Sequence, residues 1–127
     1  MKKGVIFMED NADMEPKVRQ AYLYDFYGEL LKEHQRAVFE DFVFHDLSLG
    51  EIAEERGISR QAVHDLVKRA TKKLEEYERK LQLMARFLKL RGKAERIREC
   101  ADGFEAGGER RFLEEIRRIC AEIVEDL

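Results

Sequence analysis

Between Ser59 and Lys73 the chain places Ser59, Arg60, Gln61 and His64 close together, followed by Lys68, Arg69, Lys72 and Lys73. A guanidinium presents a fork of donors that matches two acceptors on guanine, and a carboxamide pairs one donor with one acceptor, as adenine requires. Lysine and arginine further along suit phosphates, which they hold whatever the base sequence. The expected chemistry is therefore recognition of nucleic acid, with Arg60, Gln61 and His64 toward base edges and Lys68, Arg69, Lys72 and Lys73 toward the backbone. Nothing comparable supports catalysis. There is no phosphate-cradling glycine loop, no nucleophile beside a base and no pair of acids in an apolar setting, so the chain reads as a non-enzyme. His34, His45 and His64 never share an i, i+4 face, and Cys100 and Cys120 lack the CxxC spacing of a zinc or redox site. No metal or cofactor is expected, and both thiols read as reduced and structural.

To present those side chains outward, Ser59 must start a helix whose other side is held inside. Val63 and Val67 supply that inner side. Upstream, Ser48 followed by Glu51 forms a capping box, predicting a short helix from Leu49 to Arg56. Gly57 then sits where the chain reverses, and Ile58 packs inward before Ser59 caps the next helix. A capped short helix, a tight glycine turn and a second helix opening Ser-Arg-Gln make a helix-turn-helix, whose second helix enters the major groove by its first turns. Two further helices precede it. One starts near Lys17 after Pro16, with Val18, Tyr22, Leu23, Phe26 and Leu30 as its apolar stripe, Tyr24 and Tyr27 at its edge, and Gly28 at its end. The other runs from Glu33 to His45, its stripe being Val38, Phe39, Phe42 and Val43.

Composition agrees with this all-α reading. The 127 residues include 40% charged side chains, a single Pro and no Trp, a balance that favours amphipathic helices around one core. No long uncharged apolar run exists, and Val5 to Met8 is too short for a signal sequence, so a cytoplasmic protein with no membrane partner is expected. The net charge of −3 conceals a division: residues 1–55 carry 6 Lys+Arg against 13 Asp+Glu, residues 56–98 carry 14 against 5, and residues 99–127 carry 4 against 9. A basic middle between acidic ends is what a phosphate-binding surface needs.

His34-Gln35-Arg36-Ala37-Val38-Phe39, Leu47-Ser48-Leu49-Gly50-Glu51-Ile52-Ala53 and Gly57-Ile58-Ser59-Arg60-Gln61-Ala62-Val63 together resemble region 4 of bacterial sigma factors. With Tyr24-Asp25-Phe26-Tyr27-Gly28 ahead and Lys68-Arg69-Ala70-Thr71-Lys72-Lys73-Leu74 behind, residues 20–90 resemble the YlxM family of bacterial helix-turn-helix proteins. That resemblance implies a sigma region 4-like bundle, within the winged-helix-like superfamily but without a wing. It also implies a gene that neighbours the one for the signal recognition particle GTPase, and hence an accessory or regulatory role in protein targeting. His64 departs from the family, where tyrosine is expected, as do the leader and the residues after Arg91.

No Gly or Pro interrupts the chain between Ser59 and Gly92, so one long recognition helix is predicted to Arg91. Val63, Val67, Ala70, Leu74, Tyr77, Leu81, Met84 and Leu88 alternate in spacings of four and three, the pattern of a coiled-coil seam. Its distal part, Leu74, Tyr77, Leu81, Met84 and Leu88, is the expected homodimer interface. Beyond it, Lys93 to Cys100 form a short helix, Gly103 and Gly107-Gly108 break the chain, and Glu109 to Leu127 form a last helix with Phe112, Ile116, Ile119, Cys120, Ile123 and Leu127 on its apolar side. Its acids, including Glu115, Glu122 and Asp126, are expected to face away from that side. The organisation expected is a loose leader over 1–16, a helix-turn-helix domain with its long helix over 17–91, and a helical tail over 92–127. Two functions fit: a nucleic-acid-binding regulator, or an adaptor that meets the targeting particle's RNA or its GTPase without reading DNA.

Overall fold

The computed structural model describes residues 14–127; the expected leader lies, up to residue 13, outside the described residues. Six α-helices occur among those described, and no strand: α1 (Pro16–Tyr27), α2 (Glu33–Val43), α3 (Leu49–Arg56), α4 (Arg60–Leu81), α5 (Leu83–Gly107) and α6 (Arg110–Asp126). The protein is an all-α helix-turn-helix bundle. Its described residues form two compact units, 14–84 and 85–127. No described helix is long and apolar enough to cross a membrane.

In the first unit α4 is the hub, packed on α1, α2 and α3. Its inner side is Val63, Val67, Ala70 and Leu74, all buried, and it meets Phe39 and Val38 of α2, Ile52 of α3 and Leu23 of α1 in one core. The α1 stripe differs from the expected one. Val18 and Leu30 are 42% and 54% exposed, whereas Leu23 and Tyr27 are fully enclosed. Tyr24 and Tyr27 point inward because each ring has an aromatic neighbour and each hydroxyl an acid. Tyr24 stacks on Phe39 at 5.6 Å and donates to Glu40. Tyr27 lies 5.9 Å from the Tyr77 ring and donates to Glu78 Oε1 at 2.5 Å.

Turns obey the local signals. Glu15 caps α1, and Ser48 and Glu51 form the complete capping box of α3, at 3.0 and 2.8 Å. Between α2 and α3, the buried Asp41 accepts from Arg56 Nε and Nη2 at 2.9 and 2.7 Å and lies 3.1 Å from His45 Nδ1. Burial pushes the Asp41 carboxyl up, but the bonds from Arg56 and His45 outweigh it and hold the group below its ordinary value. A group depressed in this way stabilises the fold above the usual carboxylate range and loses that contribution as the pH falls through its folded value. Asp41→Asn should therefore cost about 1–3 kcal/mol at pH 7, where Arg56 loses its charged partner. Its thermal melting temperature should then fall less than the parent's between pH 6 and pH 3, and equal falls would dismiss this role.

The single long helix is not formed. Gln82 adopts a left-handed conformation, φ 56°, ending α4, and α5 begins at Leu83. The new helix start is supported from inside: Leu83 N–H donates to Tyr27 Oη and Met84 N–H to Glu78 Oε1, both at 3.0 Å. The expected coiled-coil seam is interrupted at the same point. Leu74, Met84 and Leu88 are buried within the single chain, Tyr77 is half-buried, and Leu81 alone is half exposed. Of the five expected interface positions, Leu81 is the one left half exposed.

The second unit holds the rest of α5 and α6. Gly92 and Gly103 do not stop α5; the helix runs through both to Gly107, and Gly108, φ 71°, makes the turn. Gly103 serves packing instead, since a Cβ there would stand 2.7 Å from the Phe112 ring. Ile119 is buried, while Cys120 is exposed and Leu127 almost wholly so, which narrows the expected apolar side of α6. Its acids do not all face away. Asp126 pairs with Lys89 and Lys93 at 3.2 and 3.1 Å, Glu122 lies 3.8 Å from Lys93 and Arg96, and Glu115 pairs with Arg96 at 2.9 Å.

Candidate nucleic-acid interface

The turn between α3 and α4 is built by local chemistry. Gly57 takes φ 70°, where a Cβ would be strained, and Ile58 N–H donates to Ala53 O at 3.1 Å, closing the end of α3. Ser59 Oγ accepts from Ala62 N–H at 3.0 Å and starts α4. With Val63 and Val67 held in the core, the opposite side of the helix is open, and Ser59, Arg60, Gln61, His64, Lys68, Arg69, Lys72 and Lys73 are all exposed.

These residues do not form one narrow row. At 100° per residue, Gln61, Lys68 and Lys72 lie within about 40° of one another, Arg60 and His64 flank them on one side, and Arg69 and Lys73 on the other. The arc is broad enough for one strip to meet base edges while both flanks meet phosphates. None of Arg60, Lys68, Arg69, Lys72 and Lys73 is ion-paired with another described residue.

Cations elsewhere are largely engaged. Arg56 is held by Asp41, Arg19 by Glu75 through two bonds of 2.7 Å, and Lys89, Lys93 and Arg96 by the acids of α6. The excess positive charge of residues 56–98 is thus free chiefly along α4. Two turns beyond His64 the same flank of α4 is covered by α1: Thr71 accepts from Gln20 at 3.0 Å beside the Arg19–Glu75 pair. One residue of the open strip was missed in the sequence. Asp65 Oδ1 accepts from Gln61 Nε2 at 3.1 Å and stands 3.5 Å from His64 Nδ1. The i, i+4 spacing of Gln61 and Asp65 carried that signal. Among the described residues no cluster of three or more His, Cys, Asp or Glu side chains is placed to hold a metal ion.

Residues 14–106 match the family model UPF0122, described as a helix-turn-helix protein, YlxM / p13 like. The chain belongs to the UPF0122 family. A UPF0122 protein of Halalkalibacterium halodurans is 46% identical over 89 residues, 70% of this chain and 82% of the relative. One of Thermoanaerobacter pseudethanolicus is 44% identical over 105 residues, 83% of this chain and 87% of the relative. Another, of Desulforamulus reducens, is 42% identical over 103 residues, 81% and 88% of the two chains. The UPF0122 match takes in α1 to α4 and nearly all of α5, so the helix-turn-helix and its cationic side lie inside the family's shared part, and α6 lies beyond it. A helix-turn-helix family points to nucleic acid as the class of ligand.

Proposed function

We propose that this UPF0122 protein is a nucleic-acid-binding regulator that uses α4 as its recognition helix, with Arg60, Gln61 and His64 at base edges and Lys68, Arg69, Lys72 and Lys73 on phosphates. The observation that carries the reading is the open side of α4, where five cations stand exposed without an acidic partner among the described residues, starting just after the helix-turn-helix turn. Its setting is the signal recognition particle pathway, as the YlxM resemblance implies, in an accessory or regulatory role.

Fluorescence anisotropy with a duplex DNA and a structured RNA at two ionic strengths tests this. Log affinity should fall as log salt rises. Lys68→Ala with Lys72→Ala should weaken all duplexes alike and lower the salt slope by about 2, one for each phosphate that loses its cation. Arg60→Ala with Gln61→Ala should instead flatten preference among sequences, each good bidentate pairing with a base being worth about 1–3 kcal/mol. Absence of DNA binding at low salt ends the DNA-reading form. If the particle's RNA or its GTPase is bound instead, and that binding is abolished in the same variants, the adaptor function takes its place.

A further inference from the structure

The open strip of α4 contains one feature that phosphate binding does not explain. Between Gly57 and Leu74 the only acid is Asp65. It sits between the Gln61 and Lys68 turns, on the side of the helix opposite buried Val63 and Val67. A carboxylate placed there repels every phosphate backbone and so lowers affinity for any nucleic acid. Solubility does not require it, because Glu54 and Glu55 already supply exposed acids on α3.

Its hydrogen bond indicates what it offers in return. Asp65 Oδ1 accepts one amide hydrogen of Gln61, at 3.1 Å, which fixes the direction of the carboxamide. Gln61 then retains its second N–H and its Oε1, the donor and acceptor that adenine's N7 and N6 amino group require. Asp65 itself has only acceptors to present. Against the major-groove edge it is compatible with an amino group, such as N4 of cytosine, and opposed by the acceptor atoms of guanine and by O4 of thymine.

We propose that Asp65 is a specificity-determining residue of the recognition helix: it orients Gln61 and selects an amino-bearing base edge, while its charge weakens binding to unrelated sequence. This rests on the nucleic-acid reading of α4 given above. Asp65 thus trades general affinity for discrimination at one base pair.

The test is selection from a randomised duplex library by the full chain, with Asp65→Ala and Asp65→Asn run in parallel and circular dichroism showing that each variant is folded. The parent should enrich a site with a cytosine or adenine preference at the position Asp65 faces. Asp65→Ala should bind an unrelated duplex several-fold more tightly at low salt and lose about tenfold in preference at that base pair. Asp65→Asn, which brings a donor, should move the preference there toward bases that present acceptors. If Asp65→Ala enriches the same site with the same base weights and differs only in overall affinity, Asp65 is a repulsive charge and the specificity assignment is wrong. If the parent binds duplexes but enriches no site, base reading by α4 fails, and this assignment fails with it.

Discussion

Leu88→Lys is expected to lower stability by about 3 kcal/mol or more, while Leu81→Lys, at the equivalent position one heptad earlier, should change it by about 0.5 kcal/mol at most. Leu88 is 1% exposed and Leu81 50% exposed. Removing the apolar atoms of a buried leucine alone costs about 2–5 kcal/mol, and an ammonium in their place adds the cost of burying a charge without a partner. A change of that size is a large share of the 5–15 kcal/mol that typically holds a folded domain together. Thermal melting followed by circular dichroism separates the two variants. Had the heptad formed an open seam between copies, both changes would act by splitting a dimer and neither would unfold the chain. Light scattering on the parent and on Leu81→Lys reads pairing directly, because that substitution leaves the buried positions intact.

Glu78→Ala should cost about 3 kcal/mol, the second of the large effects, since it strips the buried Tyr27 hydroxyl and the Met84 N–H of their acceptor at once. Glu78→Gln keeps an acceptor in the same place and should cost less than about 1 kcal/mol, because a neutral oxygen can receive both of those bonds. Tyr27→Phe leaves Leu83 N–H and Glu78 without their hydroxyl partner and should cost about 1–3 kcal/mol. The two truncations share one hydrogen bond, so Tyr27→Phe combined with Glu78→Ala should cost less than the separate effects added together. Urea unfolding of the four variants provides the values, and strict additivity would show that the two side chains do not support each other. Burial, then the bond to Glu78, raises the pKa of Tyr27 above the ordinary phenol value, so the hydroxyl stays protonated and able to donate throughout the neutral range.

The features legible in the sequence are those whose partners lie within one helical turn. Ser48 and Glu51 satisfy each other, Ser59 reaches Ala62, and Gly57 alone determines the reversal, so α3 runs from Leu49 to Arg56 as expected and α4 starts where its cap requires. The exposed side of α4 was legible for a related reason: Val63, Val67, Ala70 and Leu74 mark the core, and periodicity places Arg60, Gln61, His64, Lys68 and Lys72 away from it. The break at Gln82 was not legible. Neither Gly nor Pro announces it, and its support comes from Tyr27, 56 residues before Leu83. Distant partners also explain why Tyr27 lies inside and Val18 does not, and why Lys93 and Arg96 belong to ion pairs rather than to a phosphate surface. Asp65 is a different case. Its spacing from Gln61 was in plain view, but a search for donors passes over an acceptor set among them.

The start of α5 has a consequence for hydrogen exchange. The first amides of a helix have no carbonyl of their own helix to bond and ordinarily trade their hydrogens with water readily. Leu83 and Met84 are exceptions, their N–H groups being held by the Tyr27 hydroxyl and the Glu78 carboxylate rather than by backbone. Leu83 can exchange only when it parts from Tyr27 of α1, and Met84 only when it parts from Glu78 of α4. Leu83 exchanging faster than Met84 therefore gauges how often α1 lifts away, whereas equal rates at the two sites report loosening of the start of α5 itself.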